Sequence, residues 1–450
     1  MESHGNYLTN NLLTLSSKYK SLFIVFSAFL IELLLILFNL FNNSGNIPLY
    51  IFIYFEVFLL FSLAFYVLKT LPPISDEHKI LRFSLPVFII IIGILFRITV
   101  IPSVPTTSPD VFRYIWEGKI IAHGINPYQV PPDSHLLTRF HSDVWEKVGF
   151  KNMTSIYPPM AQVSFFIGHI LSGESVLGLK VIYLICEIFT LIFLLKLLRL
   201  KQINPCYIIL YAWLPLPIME YFINAHIDVV GISFFVLFLY YMEKGKNNLS
   251  AVFLAFSFLV KFYPLMIYPL LIKKIGIKNL IPFTIIFITT TVIFYIPFLT
   301  KDFAIKNSLT TYLMRWEFNG SVYNLFKLIS NGAMARIICS ILLVISIVII
   351  SFKYRDFVYG TMGVMLSFVI FATTIYPWYL GWIAALNPVL NFYSVFSLLI
   401  TSDFSNLTPM GKIWQEYWQV LVIEYIPFFL LLYLDLHNKI LNKKTNLFSS

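Results

Sequence analysis

The sequence predicts an all-α polytopic membrane protein, and three observations lead there. Of its 450 residues 58% are hydrophobic and only 12% are charged, and the mean hydropathy of +0.80 lies far above that of soluble domains. Apolar runs long enough to cross about 30 Å of hydrocarbon as helices recur along almost the whole chain. The alternating period of a membrane barrel is absent, so helices are left to satisfy the backbone within lipid.

In chain order, spans are expected near 22–40, 49–68, 83–104, 178–196, 205–221, 227–243, 280–299, 335–352, 356–374 and 418–434. The first has no small-residue cleavage site behind it, so it reads as an anchor and not as a removable signal. The connections at 18–20, 69–82, 196–201, 244–246, 273–278, 353–355 and 439–444 are rich in Lys and Arg, whereas the short loops 41–48, 220–226 and 402–415 carry only Lys412. The positive-inside rule then places both termini in the cytoplasm. The formal charge of +10 is thereby a topology signal and not a sign of nucleic-acid binding.

Three pieces do not fit a plain span. Residues 157–172 contain Gln162 and His169, and counting them as a crossing would reverse the basic face, so they are expected as an interfacial helix. Residues 249–272 have cations on both sides and Lys261-Phe-Tyr-Pro264 near the middle, the pattern of two half-helices meeting at a break. Residues 377–406, interrupted at Asn387-Pro388, read as another short pair. The cysteines Cys186, Cys206 and Cys339 fall in or beside apolar segments, where packing is their expected use.

Polar residues concentrate in two connections, about 105–156 and 300–334, predicted to lie outside the cell membrane, and function is sought there. Ser108 is a candidate N-cap, Pro109 suits the first helical position, and Asp110 falls in the first turn, where the helix dipole favours an anion. The helix should end at Gly124. Its apolar stripe of Val111, Phe112, Ile115, Trp116 and Ile120 would lie on the membrane surface, with Arg113 and Glu117 paired beside it. By capping alone, Asp110 needs no further role.

The string Asp110-Val-Phe-Arg113-Tyr114-Ile-Trp116-Glu117-Gly118, followed by Gly124-Ile-Asn126-Pro127-Tyr128 and Ile156-Tyr157-Pro158-Pro159, resembles the first extracytoplasmic loop of bacterial polyprenyl-phosphate-mannose-dependent mannosyltransferases of the GT-C class. The resemblance continues through Asn224-Ala-His226-Ile-Asp228, Lys261-Phe-Tyr263-Pro264, Arg315-Trp316-Glu317-Phe318-Asn319-Gly320 and Pro377-Trp378-Tyr379, over about residues 82–434. It implies a GT-C-type helical bundle of about 11–14 membrane segments in a bacterial plasma membrane, with interfacial helices in two extracytoplasmic loops. Residues 82–450 would form the catalytic domain, with loops at 105–172 and 300–334. Residues 1–81 would add a cytoplasmic tail and two further transmembrane helices.

The implied reaction moves a sugar, mannose by resemblance, from a polyprenyl-phosphate carrier to a hydroxyl of a glycolipid or glycan, with Asp110 as the catalytic carboxylate. A glycosyl phosphate already has a good leaving group, so the site needs a base for the acceptor and cations for the departing phosphate. Lys261, Arg315 and Arg113 are the candidate cations, with Arg113 also able to orient Asp110. Glu117, Tyr157, Asn224, His226, Asp228, Trp316, Asn319, Trp378 and Tyr379 are candidates for sugar or acceptor contacts, the aromatics by stacking. His226 and Asp228, two residues apart, face away from each other on a helix and make a poor metal pair. No metal ligand set or cofactor is therefore expected, although Pro109-Asp110, standing where many relatives carry adjacent acids, leaves metal dependence open. A lipid-linked sugar flippase would also place charge in the membrane, but no repeated halves with matching breaks are visible. An oligosaccharide ligase or polymerase of the same class is the remaining alternative.

One tension is internal to this reading. A helix N-terminus lowers a carboxylate's pKa and weakens it as a base, while an anionic lipid phosphate nearby would raise it.

Overall fold

The computed structural model describes residues 2–42, 45–71, 79–299, 305–410 and 414–445. Its helices are α1 (Glu2–Phe41), α2 (Ile47–Lys69), α3 (Lys79–Val100), α4 (Asp110–Ala122), α5 (Asp143–Lys147), α6 (Pro159–Ser172), α7 (Leu177–Leu200), α8 (Ile209–Ala212), α9 (Pro215–Phe222) and α10 (Asp228–Glu243). They continue as α11 (Asn247–Phe258), α12 (Tyr268–Tyr295), α13 (Ile305–Arg315), α14 (Ser321–Ile329), α15 (Gly332–Lys353), α16 (Phe357–Phe371), α17 (Gly381–Leu390), α18 (Tyr393–Thr401) and α19 (Trp418–Thr445). Among the described residues six helical stretches are long and apolar enough to cross a membrane: Tyr19–Phe41, Ile47–Lys69, Leu177–Leu200, Tyr263–Phe298, Gly332–Lys353 and Trp418–His437. Ser84–Val100, Asn247–Phe258 and Phe357–Phe371 are shorter apolar helices. The chain is an all-α polytopic membrane protein. Lys412, the 72–78 part of one basic connection and the first residues of the second loop, 300–304, lie outside the described residues.

Local chemistry explains where elements start and stop. Asn46, Asn331 and Asp356 accept the backbone N–H of Leu49, Met334 and Tyr359, capping α2, α15 and α16. The Lys180 ammonium on α7 donates to the carbonyls of Ile101 (2.9 Å) and Ser103 (2.8 Å), which ends α3 at Val100, short of the expected 104. Arg97 is fully buried, yet its guanidinium donates to Glu187 (2.7 Å) and to the carbonyls of Gly93 and Ala212. Burial of that charge is tolerated because each strong donor has an acceptor.

Two interruptions fall where they were not expected. The run 205–221 is not one helix: a 3₁₀ turn, α8 and α9 follow one another, broken where Pro215 cannot donate and starts a new helix. The pair at 377–406 is interrupted at Asn391 and not at Asn387-Pro388. Pro388 sits in the last turn of α17, Asn391 takes the left-handed conformation (φ 51°), and the Asn387 side-chain oxygen accepts the Phe392 N–H at 2.8 Å. The break expected around Lys261 is present, with α11 ending at Phe258 and a 3₁₀ turn over Tyr263–Ile267 leading into α12. A further kink lies at Gly276, whose φ of 74° suits only glycine easily.

The first loop carries its own small core of Trp116, Ile120, Leu137, Phe140 and Val148. The stripe on α4 is buried between this core and the main one, so it faces protein and not a membrane surface. Helices α4 and α6 cross at close range through Gly118, where a Cβ would stand 2.2 Å from the Phe165 carbonyl oxygen. On α6 one face is buried through Ala161, Gln162 and Phe165, while Ile167, Ile170 and Leu171 are exposed. That two-sided pattern suits the interfacial helix expected over 157–172.

Candidate active site

Four segments converge below the first loop: the start of α4 with Asp110, the start of α10 with Asp228, the break with Lys261, and the turn Pro377–Leu380. The helix begins at Asp110, one residue later than capping by Ser108 with Pro109 inside would give, and the Ser108 hydroxyl accepts the Asp110 N–H at 3.2 Å. Asp110 remains partly accessible at its rim while set among protein groups. Burial pushes its carboxyl up to about 6. Lys261 is the strongest of the charges acting on it and pulls it back, Asp228 adds to the rise, and Arg113 and the Ser108 hydroxyl lower it. Desolvation thus outweighs the nearby charges and the hydroxyl that lower it, and the carboxyl is a better base than an ordinary aspartate.

Lys261 is the centre of the charge arrangement. Its Nζ lies 3.3 Å from Asp228 Oδ2 and 4.6 Å from the Tyr379 ring centroid, with the rings of Tyr263 and Tyr157 at 5.9 and 6.0 Å. Asp228 is fully buried, and its other oxygen accepts the Trp382 indole N–H at 3.1 Å. The Tyr312 and Tyr379 hydroxyls meet at 2.7 Å, which brings the second loop to this site. A cation ringed by aromatic faces and held by a buried acid can accept a phosphate edge while the rings exclude water.

Other expected residues stand further back. Arg113 donates to Glu117 (2.5 Å) and to the carbonyls of Phe150 and Met153, and Glu117 also accepts from Ser155 and Gln162, both at 2.8 Å. This buried network fastens α4 to the segment that leads into α6, so Arg113 reaches Asp110 by its charge and Glu117 is enclosed by protein. The Tyr157 hydroxyl donates to Tyr114 at 3.4 Å, and its carbonyl accepts from the Tyr128 hydroxyl at 2.5 Å. His226 is fully buried and stacked on Trp378, ring centroids 3.6 Å apart, with both ring nitrogens lacking a hydrogen bond. The stack continues through Tyr376 to Phe318.

Asn224 was expected to meet acceptor hydroxyls, and its geometry is otherwise. Its oxygen accepts the N–H groups of Thr106 (2.9 Å) and Thr107 (3.1 Å), and its amide donates to the Tyr50 hydroxyl and Glu220, both at 3.1 Å. All four of its hydrogen-bonding positions are filled within the protein. Asn319 is likewise enclosed: with φ at 54° it donates to Glu416 and Glu424 and accepts from the Tyr425 hydroxyl. Trp316 packs against Phe150 of the first loop, ring centroids 4.7 Å apart. Arg315 is exposed at the end of α13 and forms no hydrogen bond or ion pair among the described residues. The structure therefore brings Asp110, Asp228, Lys261, Tyr157 and Tyr379 together and leaves Arg315 apart from them.

Sequence reasoning gave no role to Tyr312, Trp382 or Arg336. Arg336, at the start of α15, donates to the Leu313 carbonyl (2.8 Å) and the Thr373 hydroxyl (3.0 Å), pinning the second loop to the segment before Pro377. A lone arginine at the edge of an apolar run was the available signal; for Tyr312 there was none. Among the described residues no group of three or more His, Cys, Asp or Glu side chains is placed to hold a metal ion.

No curated protein matches the chain. A family model described as alpha-(1->6)-mannopyranosyltransferase, N-terminal domain, matches residues 28–275. The matched stretch begins inside α1 and takes in Asp110, Asp228 and Lys261.

Proposed function

Because the chain belongs to the alpha-(1->6)-mannopyranosyltransferase family, and is thus a mannosyltransferase of the membrane, we propose that it takes mannose from a polyprenyl-phosphate carrier and that Asp110 is the catalytic base. The observation that carries this reading is the pairing of opposite chemistries in one recess, with Lys261 the dominant charge on Asp110. The ionised Asp110 carboxylate accepts the proton of the acceptor hydroxyl as that oxygen attacks the anomeric carbon. The bond from that carbon to the phosphate oxygen breaks, and the electron pair leaves on the prenyl phosphate, whose charge the Lys261 ammonium stabilises. Asp228, 3.3 Å from the Lys261 ammonium, keeps it aimed. A single displacement inverts the anomeric carbon, so an α product requires a β-linked donor. The acceptor is a hydroxyl of a glycolipid or glycan on the extracytoplasmic face.

Two measurements test this. Transfer from synthetic polyprenyl-phosphate mannose should fall by roughly 10²- to 10⁴-fold in Asp110→Asn while donor binding is kept; undiminished transfer removes Asp110 from the reaction. A cysteine placed at the exposed Pro109 (Pro109→Cys) should react with an impermeant maleimide in intact cells. Reaction only after permeabilisation would put the site on the cytoplasmic side.

A further inference from the structure

The first two helices hold the stretch of chain that delivers Asp110. From α1, Glu32 accepts the Thr99 hydroxyl and Asn39 bonds the Thr99 carbonyl and the Ser103 hydroxyl, and Asn42, just past its end, donates to the Thr106 hydroxyl at 2.9 Å. From α2, the Tyr50 hydroxyl donates to Glu220 at 3.0 Å and accepts from the Asn224 amide at 3.1 Å. Tyr50, Glu220 and Asn224 are all fully buried. The Asn224 oxygen, fixed by that triangle, takes two successive N–H groups, those of Thr106 and Thr107, four and three residues ahead of Asp110.

We propose that α1 and α2 form a positioning clamp for the Asp110 carboxylate, with Asn224 the residue through which Tyr50 and Glu220 set the run-in to α4. The proposal rests on Asp110 being the base. Residues 101–109 form no regular helix of their own, so their backbone amides need partners from elsewhere. Asn224 supplies one oxygen for two of them, and its other contacts stop the side chain from rotating. A filled hydrogen-bond inventory leaves nothing on Asn224 for a sugar. Its effect on the reaction must pass through where Asp110 stands, and a misplacement of about 1 Å at such a group is worth on the order of 10² in rate.

The test is a kinetic cycle on the full-length protein in detergent with polyprenyl-phosphate mannose. Asn224→Ala should lower kcat about 100-fold with KM for the donor unchanged, and Tyr50→Phe, which removes only one hydroxyl and keeps the ring, should lower kcat several-fold in the same manner. In an Asp110→Asn background neither substitution should reduce the residual rate further. An additional loss of the same size in that background would mean a general packing defect and overturns the clamp. Wild-type kcat in Tyr50→Phe and Asn224→Ala, with Asp110→Asn inactive, overturns the clamp and leaves the base standing. Full activity in Asp110→Asn instead removes the base itself.

Discussion

Replacing Lys261 by methionine keeps the length of the side chain and removes its charge, which separates two roles the structure superimposes. At 3.3 Å, with both groups almost wholly enclosed, the attraction between Lys261 and Asp228 is about 5 kcal/mol at an effective dielectric of about 20. Deleting one partner leaves Asp228 buried without its counter-charge, held by the Trp382 indole N–H at one oxygen, and stranding a buried carboxylate in this way typically costs about 3–5 kcal/mol. Lys261→Met should therefore unfold at lower temperature in detergent and lose at least about 100-fold in transfer. Adding Asp228→Asn removes the stranded charge and should restore most of the lost stability, because a neutral amide in the same place still accepts the indole N–H. Transfer should stay low, since no cation faces the leaving phosphate. Asp228→Asn alone should keep measurable transfer because the ammonium remains. Thermal unfolding and single-turnover transfer, measured on all three variants, decide the matter. Recovery of transfer together with stability in the double variant would mean that Lys261 serves only to neutralise Asp228, and its phosphate role would be refuted.

A base must be ionised to act, and burial raises the Asp110 carboxyl to about 6, so turnover should be flat above neutrality and fall away as pH drops through about 6. A level profile between pH 5 and 8 excludes Asp110 as the titrating group. Gly118→Ala places a Cβ 2.2 Å from the Phe165 carbonyl oxygen, a backbone atom that cannot step aside, so α4 must lift from α6. The expected result is lost transfer and faster proteolysis within 105–172; wild-type values for both would show the crossing to be looser than described.

Most of the long apolar helices, the helix over 159–172 and the break at Lys261 were legible because they follow from chain-local rules of apolar run length and from Pro264. The Asn387-Pro388 interruption was misplaced by a few residues because proline is tolerated when the helix ends just after it, and the left-handed turn at Asn391 leaves only a faint composition signal. The charged centre was named from short motifs, while its geometry was hidden: nothing local says that Lys261 meets Asp228, or that Trp382 holds the acid's other oxygen. Glu117 and Asn224 carry the chemistry of sugar contacts by residue type. Only the packed structure shows that partners inside the protein already occupy them. The raised pKa of Asp110 was equally out of reach, since the sequence displays the helix end and not the desolvation that the packed structure imposes.

The carbonyl of Leu259 accepts two amide protons, from Met160 at 3.0 Å and Ala161 at 3.3 Å. In an unbroken helix that oxygen would have belonged to Tyr263, and the next one, of Val260, to Pro264, which has no proton to give. The interruption is thus templated by a piece of chain made about a hundred residues earlier. During synthesis the first loop is complete before the segment around Lys261 emerges, and it supplies the docking point that keeps this segment unwound. A graft of the lysine motif into another scaffold without 159–161 would be expected to anneal into ordinary helix and carry its ammonium away from the acids it faces here.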